Sequence, residues 1–145
     1  MDSKQYIEIY TDGACSGNPG KGGWGAYIKI EDQEIELNGS IDNTTNNRME
    51  LIAAIEAIKY FKKKTKINIY TDSKYLENGI TIWIKKWKIN NLKTSNKKDV
   101  KNSYLWKLLE NETKNHFIKW SWVKAHNDDT LNEKADKLAK KAIGI

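Results

Sequence analysis

The residues that staple or hook a chain together are scarce in this sequence. Its 145 residues include one cysteine, Cys15, one proline, Pro19, and two histidines. A lone cysteine forms no internal disulfide, which suits a reducing compartment. With only two histidines beside it, the usual four-ligand zinc sites are excluded. No apolar run, Leu51–Ile55 included, approaches the roughly 20 residues that a membrane-crossing helix needs. The opening Met-Asp-Ser-Lys leads into no apolar h-region, which predicts no secretory signal and a cytoplasmic protein with no membrane partner. There is no G-x-S-x-G elbow. The glycine-rich stretch Gly13–Gly25 lies between two predicted strands, whereas a dinucleotide or phosphate loop must open a helix. Hydrophobic residues at 39% and charged residues at 30% are ordinary for a packed domain, and the length predicts a single domain over 1–145.

Positive charge is present, and it is concentrated. Residues 81–101 hold seven lysines (Lys85, Lys86, Lys88, Lys93, Lys97, Lys98 and Lys101) against Asp99 alone, so this arm carries the whole chain's net charge of +6. A basic arm beside a neutral body points to a polyanionic partner, and nucleic acid fits better than a membrane because Asn90, Asn91, Ser95 and Asn96 break any long amphipathic run. Trp83 and Trp87 stand four apart among these lysines, on one face if helical. They suit either contact with sugars and bases or simple core packing.

Hydrophobic periodicity predicts strands at Tyr6–Asp12, Trp24–Ile30, Ile35–Ile41, Ile67–Asp72 and His116–Val123, and helices at Met49–Lys63, Tyr75–Trp87, Ser103–Glu110 and Leu131–Ala142. Thr44-Thr45-Asn46-Asn47 supplies capping chemistry before the first helix. The order predicts an α/β fold: a mixed five-stranded sheet, three strands antiparallel and two parallel, with helices on both faces.

One internal echo organises the chemistry. Ile7-Glu8-Ile9-Tyr10-Thr11-Asp12 recurs, with one change, as Ile67-Asn68-Ile69-Tyr70-Thr71-Asp72. If the two strands lie parallel and adjacent, both aspartates leave the same sheet edge, where open α/β sheets build their sites. Glu50, in the first turns of the following helix, and Asp136, on the last helix, can join them. Clustered carboxylates repel unless a cation is present, and an oxygen-only donor set suits Mg²⁺ or Mn²⁺. His126, in the loop before the last helix, could relay protons near that edge. His116 has no such setting.

These segments together resemble type 1 ribonucleases H, of the bacterial kind with a basic protrusion, from about Tyr6 to Ala142. The matching pieces are residues 10–20, 44–51 and 70–73, the arm from Trp83 to Trp106, Trp122-Val123-Lys124-Ala125-His126, and Asn132-Glu133-Lys134-Ala135-Asp136. The resemblance implies a ribonuclease H-like fold and a monomeric endonuclease that hydrolyses the RNA strand of RNA/DNA hybrids, leaving 5′-phosphate and 3′-hydroxyl ends. It implies two Mg²⁺ ions, or Mn²⁺ in their place, held by Asp12, Glu50, Asp72 and Asp136, and a catalytic histidine at His126. It implies RNA-strand contacts at Cys15, Asn18, Asn46 and Asn47, a DNA phosphate at Thr45 and Asn102, and a DNA channel at Trp83 and Trp87. Lys85, Lys86, Lys88, Lys97 and Lys98 would grip phosphates. Lys74, Ala125 and Leu92 depart from common residues of the family. The competing expectations are a binding module without turnover and another nuclease of the same fold, such as a junction resolvase.

Overall fold

In the computed structural model, which describes residues 6–89, 101–124 and 130–145, the strands are β1 Ile7–Gly17, β2 Gly20–Ile30, β3 Gln33–Thr44, β4 Lys66–Thr71 and β5 Phe117–Trp122. They form one sheet in the order β3-β2-β1-β4-β5. β1 is antiparallel to β2, and β2 to β3, while β1 and β4 and then β4 and β5 run parallel. The two echoing hexapeptides are neighbours in matched register, Ile7 opposite Ile67 and Ile9 opposite Ile69. Alternation then sends those isoleucines to one face and Tyr10 and Tyr70 to the other. The two tyrosine rings stack at 4.5 Å.

Helices α1 Asn46–Lys59 and α4 Ser103–Lys114 cover the isoleucine face. The main core gathers Ile9, Ile28, Ile67 and Ile69 with Leu51, Ile55, Ile58, Trp106 and Leu109. Helix α5 Thr130–Ala142 covers the opposite face of β1, β2 and β3, with Ala135 against Tyr10 and Tyr27. No helix among the described residues is long and apolar enough to cross a membrane.

Three boundaries differ from the periodicity reading. The glycine-rich stretch is not a loop: β1 runs on to Gly17, turns at a cis Asn18-Pro19 bond, and β2 begins at Gly20. Helix α1 starts earlier, capped by the Thr45 hydroxyl accepting from Arg48 N, and stops at Lys59 because Lys62-Lys63-Lys64 continue no apolar stripe. The span expected as one helix is three: α2 Lys74–Asn78, a π-helical turn Gly79–Trp83, and α3 Ile84–Ile89. A side chain on Gly79 would place its Cβ 2.0 Å from the Trp106 ring, so the turn lies directly on that buried indole.

His116 is buried and structural. Its Nδ1 accepts from Thr65 N at 3.1 Å, tying the start of β5 to the start of β4, and burial lowers its pKa.

Helix α5 sits backbone-to-backbone on β2. A Cβ on Gly25 would lie 2.4 Å from the Ala135 carbonyl oxygen and 2.7 Å from Leu138 Cβ. Replacing Gly25 with alanine must therefore push α5 outward, at a cost of about 2–3 kcal/mol. Thermal unfolding checks this, and an unchanged melting temperature would contradict the close approach.

Candidate active site

Four acidic residues remote in sequence meet at the carboxyl edge of β1 and β4. Asp12 lies in β1 just beyond the segment that pairs with β4, and Asp72 follows β4, sixty residues on in the same repeat. Ser73 caps α2 through Leu76 N at 3.1 Å and receives its own support from Thr71, whose Oγ1 accepts from Ser73 N at 3.1 Å. Asp72 is thereby held between a strand end and a capped helix.

Glu50 is delivered by contact between α1 and Gly13. A Cβ on Gly13 would lie 2.7 Å from Glu50 N and 2.8 Å from Met49 Cβ. Only glycine lets the first turns of α1 reach the β1 backbone beside Asp12. One oxygen from each of Asp12, Glu50 and Asp72 lies within 4.8 Å of the others. Asp136, on α5, closes the cleft from the opposite face of the sheet, near enough for its charge to act on Asp12. The cleft is about 400 Å³ and is lined further by Asn46, Asn47, Lys74 and Tyr75.

The electrostatics of this cluster are unfavourable without a counter-ion. Burial, then the Asp72 charge and the neighbouring Asp136 carboxyl, push Asp12 up to about 8, against the opposing pull of the Gly13 N–H, which donates to Asp12 Oδ1 at 2.9 Å. Burial, and then the charges of Asp12 and Asp72, hold Glu50 well above the usual carboxylate range. Glu50 Oε1 is buried and has no hydrogen-bond partner. An unsatisfied buried carboxylate oxygen facing two further acids is a costly arrangement unless a cation completes it. The donors are hard oxygens alone, which fits Mg²⁺ or Mn²⁺.

The other residues expected at the site fall into groups. Asn18 Oδ1 accepts from Asn46 N at 3.0 Å, joining the β1–β2 turn to the start of α1. Asn47 lines the cleft beside Asn46. Cys15 is half-buried, its thiol donating to the Thr44 and Gly20 carbonyls at 3.4 and 3.6 Å. Thr45 and Asn102 are linked through Arg48: its backbone N–H donates to Thr45, and its Nε donates to Asn102 Oδ1 at 3.0 Å. Asn102 caps α4 in a left-handed conformation, φ 60°, and its Nδ2 donates to the Tyr75 hydroxyl at 3.1 Å. The Trp106 indole donates to the same hydroxyl. Trp83 is half-buried, edge-on to the Tyr75 ring at 5.8 Å, while Lys85 and Lys86 are exposed on α3. Lys74 stands at the cleft rim, its ammonium 3.4 Å from Glu77. His126, Lys93, Lys97, Lys98, Leu92 and Ala125, and the side chains of Trp87 and Lys88, lie outside the described residues.

Periodicity does not reveal Gly13, Arg48 and Tyr75 as parts of this assembly. Their only trace in the sequence is adjacency: each lies within three residues of one of the clustered acids.

Comparison with known proteins is consistent over the chain. A family model described as RNase H matches residues 4–144. The ribonuclease H of Wolbachia pipientis wMel is 57% identical over 141 residues, covering 97% of each chain. That of Bartonella quintana (strain Toulouse) is 52% identical over 143 residues, covering 99% of this chain and 92% of the relative. Among solved structures, LC9-RNase H1, a type 1 RNase H, superposes with a TM-score of 0.86 at 29% identity, over 96% of this chain and 72% of its own. LC11-RNase H1 in complex with RNA/DNA hybrid shares the fold, with a TM-score of 0.72 at 22% identity, over 94% of this chain and 96% of its own.

Proposed function

Because the chain belongs to the ribonuclease H family, we propose that its acid-lined cleft is the seat of RNA/DNA-hybrid cleavage and that Asp12, Glu50, Asp72 and Asp136 hold two divalent cations there. The activity is endonucleolytic hydrolysis of the RNA strand. The observation that carries the site assignment is the convergence of Asp12, Glu50 and Asp72 within 4.8 Å at the mouth of a polar cleft. Bound Mg²⁺ would activate the attacking water and neutralise charge on the leaving 3′-oxygen, giving 5′-phosphate and 3′-hydroxyl ends. Asp12, between the other acids, is the residue suited to serve both ions, with Glu50 and Asp72 on one side and Asp136 on the other. His126 takes the part of proton carrier.

Substrate choice follows from the surroundings. Asn46, Asn47, Asn18 and Cys15 lie along the path of the cut strand, where 2′-hydroxyls distinguish RNA from DNA. Thr45 and Asn102, joined by Arg48, seat a phosphate of the uncut strand. Trp83 and Trp87 line its channel, and the lysine arm grips backbone without regard to sequence. In this reading the protein is a single-domain cytoplasmic monomer whose partner is the RNA/DNA hybrid and not a membrane.

The test is a cleavage panel: a labelled RNA/DNA hybrid beside RNA/RNA and DNA/DNA duplexes and a four-way branched DNA, each with Mg²⁺ and with EDTA. Cutting confined to the hybrid's RNA strand, and abolished by EDTA, is expected. Binding without turnover would favour the non-catalytic module, cleavage of branched DNA the junction nuclease, and activity surviving EDTA would contradict the cation requirement.

A further inference from the structure

We infer that Lys140 competes with the divalent cation for Asp136 and so sets the cation concentration at which the site fills. This rests on the reading that the clustered acids hold divalent ions. Lys140 follows Asp136 by one helical turn on α5, and its Nζ lies 3.1 Å from Asp136 Oδ2. Asp136 lines the same cleft as Asp12, and its charge acts on the Asp12 carboxyl, so the ammonium sits one carboxylate away from the centre of the cluster.

The chemistry gives the direction. In the cation-free cleft, an ammonium against Asp136 offsets part of the repulsion among four carboxylates. A divalent ion seated on the same oxygen must displace it, and it meets a like charge on arrival. The pair is half-exposed, with side-chain exposures of 48% for Lys140 and 31% for Asp136, so the displacement is easy but not without cost. The flexible four-carbon stem lets the ammonium swing to solvent without disturbing the helix.

Lys141 supplies a matched control. It occupies the same last turn of α5 as Lys140, so removal of either charge changes the net charge equally and weakens a similar interaction with the helix carboxyl end. Of the two, Lys140 is the one whose ammonium pairs with Asp136.

The experiment is titration calorimetry of the substrate-free protein with MnCl₂ and with MgCl₂. It compares wild type, Lys140→Gln, Lys141→Gln, and each of wild type and Lys140→Gln combined with Asp136→Asn. Lys140→Gln should lower the half-saturating concentration roughly 3–10-fold, and Lys141→Gln by less than about twofold. With Asp136→Asn in place, Lys140→Gln should change nothing further, which a general charge effect would not produce. Equal midpoints for Lys140→Gln and Lys141→Gln, or a Lys140→Gln effect that survives Asp136→Asn, would overturn the role of Lys140. Absence of any cation binding by the wild-type protein would instead overturn the metal assignment.

Discussion

Asp12→Asn is expected to slow hybrid cleavage by roughly 10³-fold while making the cation-free protein more stable. The amide keeps the shape of the side chain but lacks the second anionic oxygen with which Asp12 would serve the proposed pair of cations. Loss of about 4 kcal/mol of transition-state stabilisation corresponds to that rate. The stability gain has the opposite sign because the native carboxylate is destabilising in the empty cleft. Asp12 is held up to about 8 by burial and the Asp72 charge, whereas the unfolded chain ionises it near 3.8. Between those values the folded state keeps a proton that the unfolded state has shed. Stability therefore falls as pH rises from about 4 to about 8. Asparagine has no such titration, so its advantage grows across the same window. It should reach about 1–3 kcal/mol near pH 8, or several degrees in melting temperature. Single-turnover cleavage and thermal melts in EDTA at pH 5 and pH 8 check both halves. Near-normal cleavage would reject the role of Asp12, and a stability difference that shrinks with pH would reject the electrostatic account.

The second large effect belongs to the lysine arm. Changing Lys85, Lys86, Lys88, Lys93, Lys97, Lys98 and Lys101 to glutamine removes every positive charge between residues 81 and 101. For each phosphate that the arm no longer neutralises, the slope of log affinity against log salt should shrink by about 0.9. If roughly half of the seven meet phosphates, hybrid affinity at low salt falls about 10²-fold and the salt dependence flattens by about 3. The rate at saturating hybrid should change far less, because the arm supplies none of the four acids. Filter binding across a salt series measures the slope. An unchanged slope would show that the arm does not grip the backbone.

The echo at residues 7–12 and 67–72 is informative because it specifies register as well as strand. Identical alternation in two adjacent parallel strands places the following aspartates at matched heights, and the observed pairing of Ile7 with Ile67 is that arrangement. Asp136 is legible only in part: of the apolar stripe Leu131, Ala135, Leu138 and Ala142, the structure buries Ala135 fully and the others partly, and Ala139 and Ile143 complete the buried face.

The glycine-rich stretch resists such reading for a physical reason. Propensity counts Gly13, Gly20, Gly22, Gly23 and Gly25 as breakers, yet several of them are strand residues whose missing side chains make room for helices. Gly13 admits α1, which delivers Glu50, and Gly25 admits α5, which delivers Asp136. No local pattern announces a requirement set by an element far away in the chain. The break in the helix after Asn78 is of the same kind: Gly79 lies against Trp106, a contact across 27 positions of sequence. The Arg48–Asn102–Tyr75 linkage depends on the left-handed turn at Asn102, which side-chain alternation does not encode.

An anomalous diffraction measurement on crystals soaked in MnCl₂, with and without a bound hybrid, tests the central claim most directly. The account predicts Mn²⁺ density among Asp12, Glu50 and Asp72, and a second ion against Asp12 and Asp136 when hybrid is bound. Mn²⁺ found elsewhere, or absent from this cleft in crystals of protein that cleaves hybrid in the same MnCl₂ solution, would contradict it.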